Sequence, residues 1–214
     1  MKIFESIQNN NQTTCSSPIK NIVDNDLPLD KKLANLRDSI KTVKLTPNGE
    51  NELIELLFSG LGGYIYFPRK GDNSERFDAT ITFDDYKVVA EVEIPSTAIL
   101  DAPRNLLDDY AVIRSRKGET IKNIVPLVVC WDLPNKRTDY WNVITDINNI
   151  LGIKIKTISI LALAFYYWTK TPLDLLNDAF YLEHSDPVMH STSKLMKASG
   201  VSSDDYPGYF TPYK

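Results

Sequence analysis

The sequence predicts an α/β (α+β) protein in which a mixed central β-sheet is flanked by helices. Segments with apolar residues at helical spacing alternate with short β-branched runs, in the order α, β, β, β, α, β, α, β. The run 124–131 is continuously apolar, which is typical of a strand that is covered on both faces. The 214 residues, 43% of them hydrophobic and 24% charged, provide for one globular domain with a real core.

Two amphipathic helices are expected before the sheet. The first spans 29–43, where Asp30 can cap the first amides. The second opens at Thr46, with Pro47 in its first turn, and ends at the glycines that begin at Gly60. We expect a single domain over 1–214 with its core at about 29–180. The polar, proline-containing segments are predicted to be peripheral or irregular, namely 1–28 and 184–214.

Extended runs and helical patterns alternate in the remainder of the chain. Three runs separated by polar loops indicate a small antiparallel meander. The stretch 155–163 is either a buried strand or the start of a buried helix, because periodicity does not separate the two. The predicted elements are strands at 64–67, 77–83 and 88–94, a helix from Asp101 to near Lys117, a strand at 124–131, a helix at 138–151 and a short helix opening at Thr171.

Acidic residues collect on one face of the hairpin formed by the second and third strands. If the segment DDYK makes the turn and Phe83 pairs with Val88, then Asp78 lies opposite Glu93. Glu91 then lies on the same face, opposite Thr80. The other face is wholly apolar, so the hydrophobic pattern specifies the register strongly.

Three neighbouring carboxylates destabilise a sheet unless a cation lies among them. Carboxylate oxygens and water are the ligands that Mg²⁺ accepts, and Mn²⁺ is an alternative. A divalent cation held by Asp78 and Glu91 would support phosphodiester hydrolysis, with Glu93 placed to act as general base. Glu52 and Glu55, on the preceding helix, are candidates for an outer carboxylate.

A helix with Glu is followed by Asp78 at a strand start and by Glu91-Val92-Glu93 in the next strand. This order resembles the core of the PD-(D/E)xK nucleases. The resemblance covers roughly residues 47–133 and is closest to a D…ExE variant, with Phe77 where Pro is usual and Glu93 where Lys is usual. Some restriction endonucleases of this superfamily carry Glu there. The resemblance implies a restriction-endonuclease-like core, Asp78 and Glu91 as metal ligands, and double-stranded DNA as substrate. A type II restriction endonuclease acting as a homodimer is the leading case.

A net charge of −4 means that any contact with DNA phosphates must be local. Basic side chains bracket the loop before Asp78 and follow on the next helix and its exit. The DNA-binding candidates are Arg69, Lys70, Arg76, Arg104, Arg116 and Lys117.

Several other classes are disfavoured. Two cysteines fit neither a disulfide scaffold nor a zinc site, and the longest apolar run is about half of what spans a bilayer. We therefore expect a cytoplasmic protein without membrane contact. Two alternatives stay open: a non-catalytic DNA-binding or protein-interaction module on a nuclease-like scaffold, and a repair or junction-resolving nuclease.

Overall fold

The computed structural model describes residues 17–68, 77–94, 98–116, 123–180 and 190–213. These residues build a five-stranded sheet with helices against both faces. The helices are α1 (Pro18–Val23), α2 (Leu29–Asp38), α3 (Ile40–Leu45), α4 (Gly49–Gly60), α5 (Ala102–Arg116), α6 (Asp139–Leu151), α7 (Ile160–Thr169) and α8 (His190–Ala198). The strands are β1 (Tyr64–Tyr66), β2 (Ala79–Thr82), β3 (Lys87–Glu93), β4 (Ile124–Cys130) and β5 (Lys156–Ser159).

The sheet has the strand order β1-β2-β3-β4-β5. The first three strands pair antiparallel, and β3, β4 and β5 pair parallel. Every residue of β4 is buried, as its continuous apolar sequence predicts. The predicted mixed α/β fold and the antiparallel meander are therefore confirmed. None of the described helices is long and apolar enough to cross a bilayer.

The hairpin register differs from the predicted one by two residues. Ile81 pairs with Val88, and the N–H of Phe83 donates to the carbonyl of Tyr86 at 2.9 Å. The turn therefore consists of Asp84 and Asp85 alone, and the Phe83 and Tyr86 rings stack with centroids 4.7 Å apart. A shift of two residues keeps each side chain on its face, because the side-chain period of a strand is also two.

Helices near the amino terminus correct two predictions. Residues 18–23 were expected to be irregular but form α1, in which the Ser17 side chain caps the helix by accepting a hydrogen bond from the N–H of Lys20. The single helix predicted over 29–43 is divided into α2 and α3 at Ser39, whose hydroxyl donates to the carbonyl of Asn35 at 2.5 Å. Asp30 lies in the first turn of α2 without capping it.

Two further helix starts differ from the prediction. Helix α4 begins at Gly49 and not at Thr46, because Asn48 takes a left-handed conformation with φ 56°. No α-helix opens at Thr171, where the chain is irregular up to a 3₁₀ turn at Asp178–Phe180.

The stretch 155–163 contains both of the structures that the sequence left open, a buried strand followed by the start of a buried helix. Strand β5 ends at Ser159, and α7 starts at the next residue. The Ser159 hydroxyl accepts a hydrogen bond from the N–H of Ala162 at 3.2 Å and donates to the carbonyl of Tyr209. One side chain therefore caps α7 and ties the C-terminal segment to the sheet.

The C-terminal segment, predicted to be peripheral or irregular, contains α8 and contributes to the core. Met196, Tyr206 and Phe210 are buried, and the Phe210 ring packs edge-on against Phe165 with centroids 5.9 Å apart. The Tyr206 hydroxyl donates to the carbonyl of Asp30 at 2.9 Å. Buried aromatic rings, rather than a periodic pattern, attach this segment.

We predict that Ser159→Ala lowers the free energy of unfolding by about 1–2 kcal/mol, because it removes the α7 cap and the bond to Tyr209. Urea unfolding followed by circular dichroism measures this loss. The matched control is Ser202→Ala, which removes a cap from the exposed 3₁₀ turn Ser203–Asp205. Equal losses in the two variants would contradict the role given to Ser159.

Candidate active site

Glu91 lies in the middle of the acidic cluster and is itself buried. Strand β3 directs it to the face that α5 covers, and only 9% of its surface is exposed. The Asn105 side-chain amide, on α5, donates to Glu91 Oε1 at 3.2 Å. An ordinary solvated strand face does not explain a carboxylate in this position.

Asp78 lies next to Glu91 across the strand pair. Ala79 pairs with Ala90, so Asp78 and Glu91 are the residues that directly adjoin the last pair of this ladder. The backbone N–H of Val92 donates to Asp78 Oδ2 at 2.8 Å, which fixes the carboxylate against β3. The corrected register therefore places Asp78 level with Glu91, whereas the sequence predicted Glu93.

Glu93 is half-buried at the end of β3, on the same face as Glu91. In the parallel pair it lies level with Cys130, and its carbonyl accepts a hydrogen bond from Trp131 N–H at 3.2 Å. All three predicted acids thus lie at one end of the hairpin, and the negative charges of Asp78 and Glu93 both act on Glu91.

Sequence reasoning missed two residues of the cluster, Asn105 and Asp109. Asp109 is 5% exposed on the inner side of α5, and its charge also acts on Glu91. A signal was present in the sequence, because Asp109 interrupts an apolar stripe at helical spacing. The stripe comprises Ala102, Leu106 and Ile113.

Burial and like charge shift the ionisation of both central acids. Burial, followed by the charge of Asp78, raises the pKa of Glu91 to about 7, against a weaker opposing effect of the Asn105 hydrogen bond. Asp78 is exposed on one side, yet the protein atoms around its carboxyl still raise its pKa through desolvation, and the Val92 hydrogen bond opposes this. The cluster carries more negative charge than its surroundings stabilise.

The oxygen donors of this cluster suit Mg²⁺ or Mn²⁺. Within the described ranges, however, no group of three or more His, Cys, Asp or Glu side chains is arranged to hold a metal ion. One oxygen of Asp78 accepts from Val92 and one of Glu91 from Asn105. Asp78 and Glu91 together offer two carboxylates. Mg²⁺ sites commonly have one or two carboxylate ligands, and water and substrate complete the coordination shell. The assignment of Asp78 and Glu91 as ligands stays a prediction.

The predicted outer carboxylates lie elsewhere. Phe58 of α4 packs against Phe83, so α4 covers the apolar face of the hairpin, opposite to Glu91. Glu52 accepts a hydrogen bond from Ser17, and Glu55 is exposed. The structure does not bring these two acids to Asp78 and Glu91. The sequence could not show this, because helical spacing does not reveal which sheet face a helix will cover.

The DNA-binding candidates are described only in part. Arg104 is exposed on α5 and forms ion pairs with Asp101 at 3.7 Å and with Asp139 at 3.2 Å. Arg116 ends α5, and its side chain is not described. The other candidates lie outside the described residues, namely Arg69, Lys70, Arg76 and Lys117. Their contact with DNA stays a prediction.

Comparisons with known proteins give structural similarities alone. No protein-family model matches the chain, and no curated protein matches it. The chain is similar to the small subunit of the heterodimeric restriction endonuclease R.BspD6I, with 11% identity and a TM-score of 0.48 over 78% of this chain and 97% of that chain. It is also similar to restriction endonuclease FokI, with 12% identity and a TM-score of 0.46 over 78% of this chain and 33% of that chain. TM-scores below 0.5 do not by themselves establish a common fold.

We predict that Glu91→Gln stabilises the metal-free protein at pH 8. The pKa of Glu91 is about 7 in the folded protein against an ordinary 4.5, so wild type loses stability as the pH rises through this window. The substituted amide carries no charge and avoids the loss. The expected gain is about 2–3 kcal/mol at pH 8 and close to zero near pH 4.5.

Urea unfolding in EDTA at the two pH values measures this gain. The control is Glu55→Gln, which replaces an exposed carboxylate and should change the free energy of unfolding by less than about 0.5 kcal/mol. A Glu91→Gln variant that is no more stable than wild type at pH 8 would contradict the burial of an ionised Glu91.

Proposed function

We propose that this chain is a divalent-metal-dependent endonuclease that hydrolyses phosphodiester bonds of double-stranded DNA. The observation that carries the proposal is the buried Glu91, placed level with Asp78 across the hairpin and influenced by the charges of Glu93 and Asp109. Crowded acids destabilise a fold unless something compensates them. A divalent cation provides that compensation and also the chemistry of phosphodiester hydrolysis.

The proposed roles follow from the contacts of each side chain. Asp78 and Glu91 would hold Mg²⁺, or Mn²⁺ in its place, through oxygens oriented by Val92 and Asn105. When bound, the ion polarises a phosphoryl oxygen and lowers the pKa of a bound water. Glu93, further along the same face of β3, would accept the proton of the water that attacks phosphorus while the bond to the leaving oxygen breaks.

The order of elements supports a particular class of nuclease. Helix α4, strands β1 to β3, helix α5 and strand β4 follow one another as the resemblance to PD-(D/E)xK nucleases predicts, with Asp78 before β2 and the two glutamates in β3. We therefore propose a D…ExE member of that superfamily, with a type II restriction endonuclease as the leading case. A homodimer would allow both strands to be cut.

A non-catalytic DNA-binding module is the second candidate. One observation favours it: within the described part of the chain, the acids are not grouped as a ready metal site. A carboxylate in place of the usual lysine also supplies no positive charge near a phosphate. The two candidates differ in whether DNA is cut at all.

We predict that the purified protein cuts DNA in Mg²⁺ and not in EDTA, and that Asp78→Asn and Glu91→Gln each reduce cutting by at least about 100-fold. Incubation with several unrelated plasmids, followed by gel electrophoresis, measures this. Asp146→Asn is the matched control, since it removes an exposed carboxylate of α6 that is not one of the charges acting on Glu91, and it should cut as wild type does.

The products separate the candidate functions. Discrete fragments support a site-specific enzyme, a smear supports a general nuclease, and preferential cutting of a four-way junction supports a junction-resolving enzyme. Wild-type protein that shifts DNA in a gel without cutting it, or variants that cut normally, would contradict the proposed catalytic site.

A further inference from the structure

The sheet face that carries the acids continues outward to two tyrosines of β1. Tyr64 pairs with Thr82 and Tyr66 pairs with Thr80 in the antiparallel ladder. Residues that lie opposite each other in a ladder point to the same face of the sheet. Asp78 and Thr80 also share a face, because they are two residues apart along the chain. Both tyrosines therefore lie on the face of Asp78 and Glu91.

The tyrosines at the β1 end of this face are exposed, whereas α5 covers the face at β3. Tyr64 is 74% exposed and Tyr66 is 41% exposed, although Thr80 between them and the acids is buried. Helix α5 packs on β3 and β4 and therefore covers Glu91. Two aromatic side chains are thus exposed side by side on one strand, where their rings are accessible to a flat ligand.

Strand geometry sets the distances across this surface. Tyr66 is the diagonal neighbour of Asp78, which corresponds to a separation of about 7–8 Å. Tyr64 and Tyr66 are two residues apart, so their backbone positions are separated by about 7 Å along β1. A base held between two parallel rings needs a ring separation of about twice the roughly 3.4 Å spacing of stacked bases, and the backbone spacing along β1 matches this.

We infer that Tyr64 and Tyr66 form a stacking platform that holds an unpaired base of the substrate DNA beside the acidic cluster. A base offers its flat face to a protein only when it is unstacked from the duplex, and aromatic side chains are the usual platforms for it. The inference rests on the proposed function and places an unpaired nucleotide of the DNA substrate close to the bond that is cut. In a fully paired duplex that nucleotide must first be unstacked, which costs binding affinity.

Binding without cutting tests the platform separately from the nuclease. Asp78→Asn protein in EDTA is titrated into two fluorescent DNAs, a fully paired duplex and the same duplex with a four-nucleotide single-stranded tail. Fluorescence anisotropy measures both affinities. We expect the tailed duplex to bind more tightly than the paired one.

Substitutions at the two tyrosines should remove that preference. Tyr64→Ala and Tyr66→Ala, in the same background, are each expected to weaken binding of the tailed duplex by about 10-fold and to change binding of the paired duplex little. Tyr64→Phe and Tyr66→Phe keep the rings and should keep the preference. Tyr213→Ala removes a comparably exposed tyrosine that lies in the C-terminal segment and not on β1, and it is the matched control.

Three binding results would overturn the inference: equal affinity for the two DNAs, alanine variants that bind the tailed duplex as their parent does, or phenylalanine variants that lose as much affinity as the alanine ones. Loss of a dimer in the alanine variants by sedimentation velocity, with DNA affinity unchanged, would also overturn it and assign the face to a second copy. A wild-type protein that fails to cut DNA bears on the proposed function and leaves these binding results intact.

Discussion

The burial of the Glu91 carboxylate between β3 and α5 is the constraint on which the site depends. Its position follows from the opposite face of the hairpin, where Ala79 and Ile81 pair with Ala90 and Val88 in the core. A shift of one residue would expose this apolar set, so the core holds the acids on the covered face. Hydrophobic packing thus provides the energy that keeps an unfavourable group of charges together.

The two faces of the sheet have different roles. Helix α4 packs on the apolar face of the hairpin, and the Tyr86 hydroxyl anchors the turn by donating to the carbonyl of Leu173 at 2.8 Å. On the other face α5 covers β3 and β4, whereas the two tyrosines of β1 are exposed. The partly covered acids and the exposed aromatic rings therefore share one face of the sheet.

Local patterns predicted most elements and the shared face of the three acids, because side-chain alternation depends only on the chain itself. The hairpin register was wrong by two residues, since a two-residue turn and a four-residue turn give the same alternation. Asn105 and Asp109 were missed because their contact with Glu91 forms only when α5 packs on the sheet. The C-terminal segment was misjudged because its attachment depends on single aromatic rings, such as Phe210, without a period.

The proposed active site requires that the acids bind a divalent cation, and calorimetric titration of Mn²⁺ into the metal-free protein at pH 8 tests this most directly. We expect saturable binding to wild type, and no detectable binding to a double variant with Asp78→Asn and Glu91→Gln. Unchanged binding in that variant, or none in wild type, would contradict the assignment of these carboxylates as a metal site.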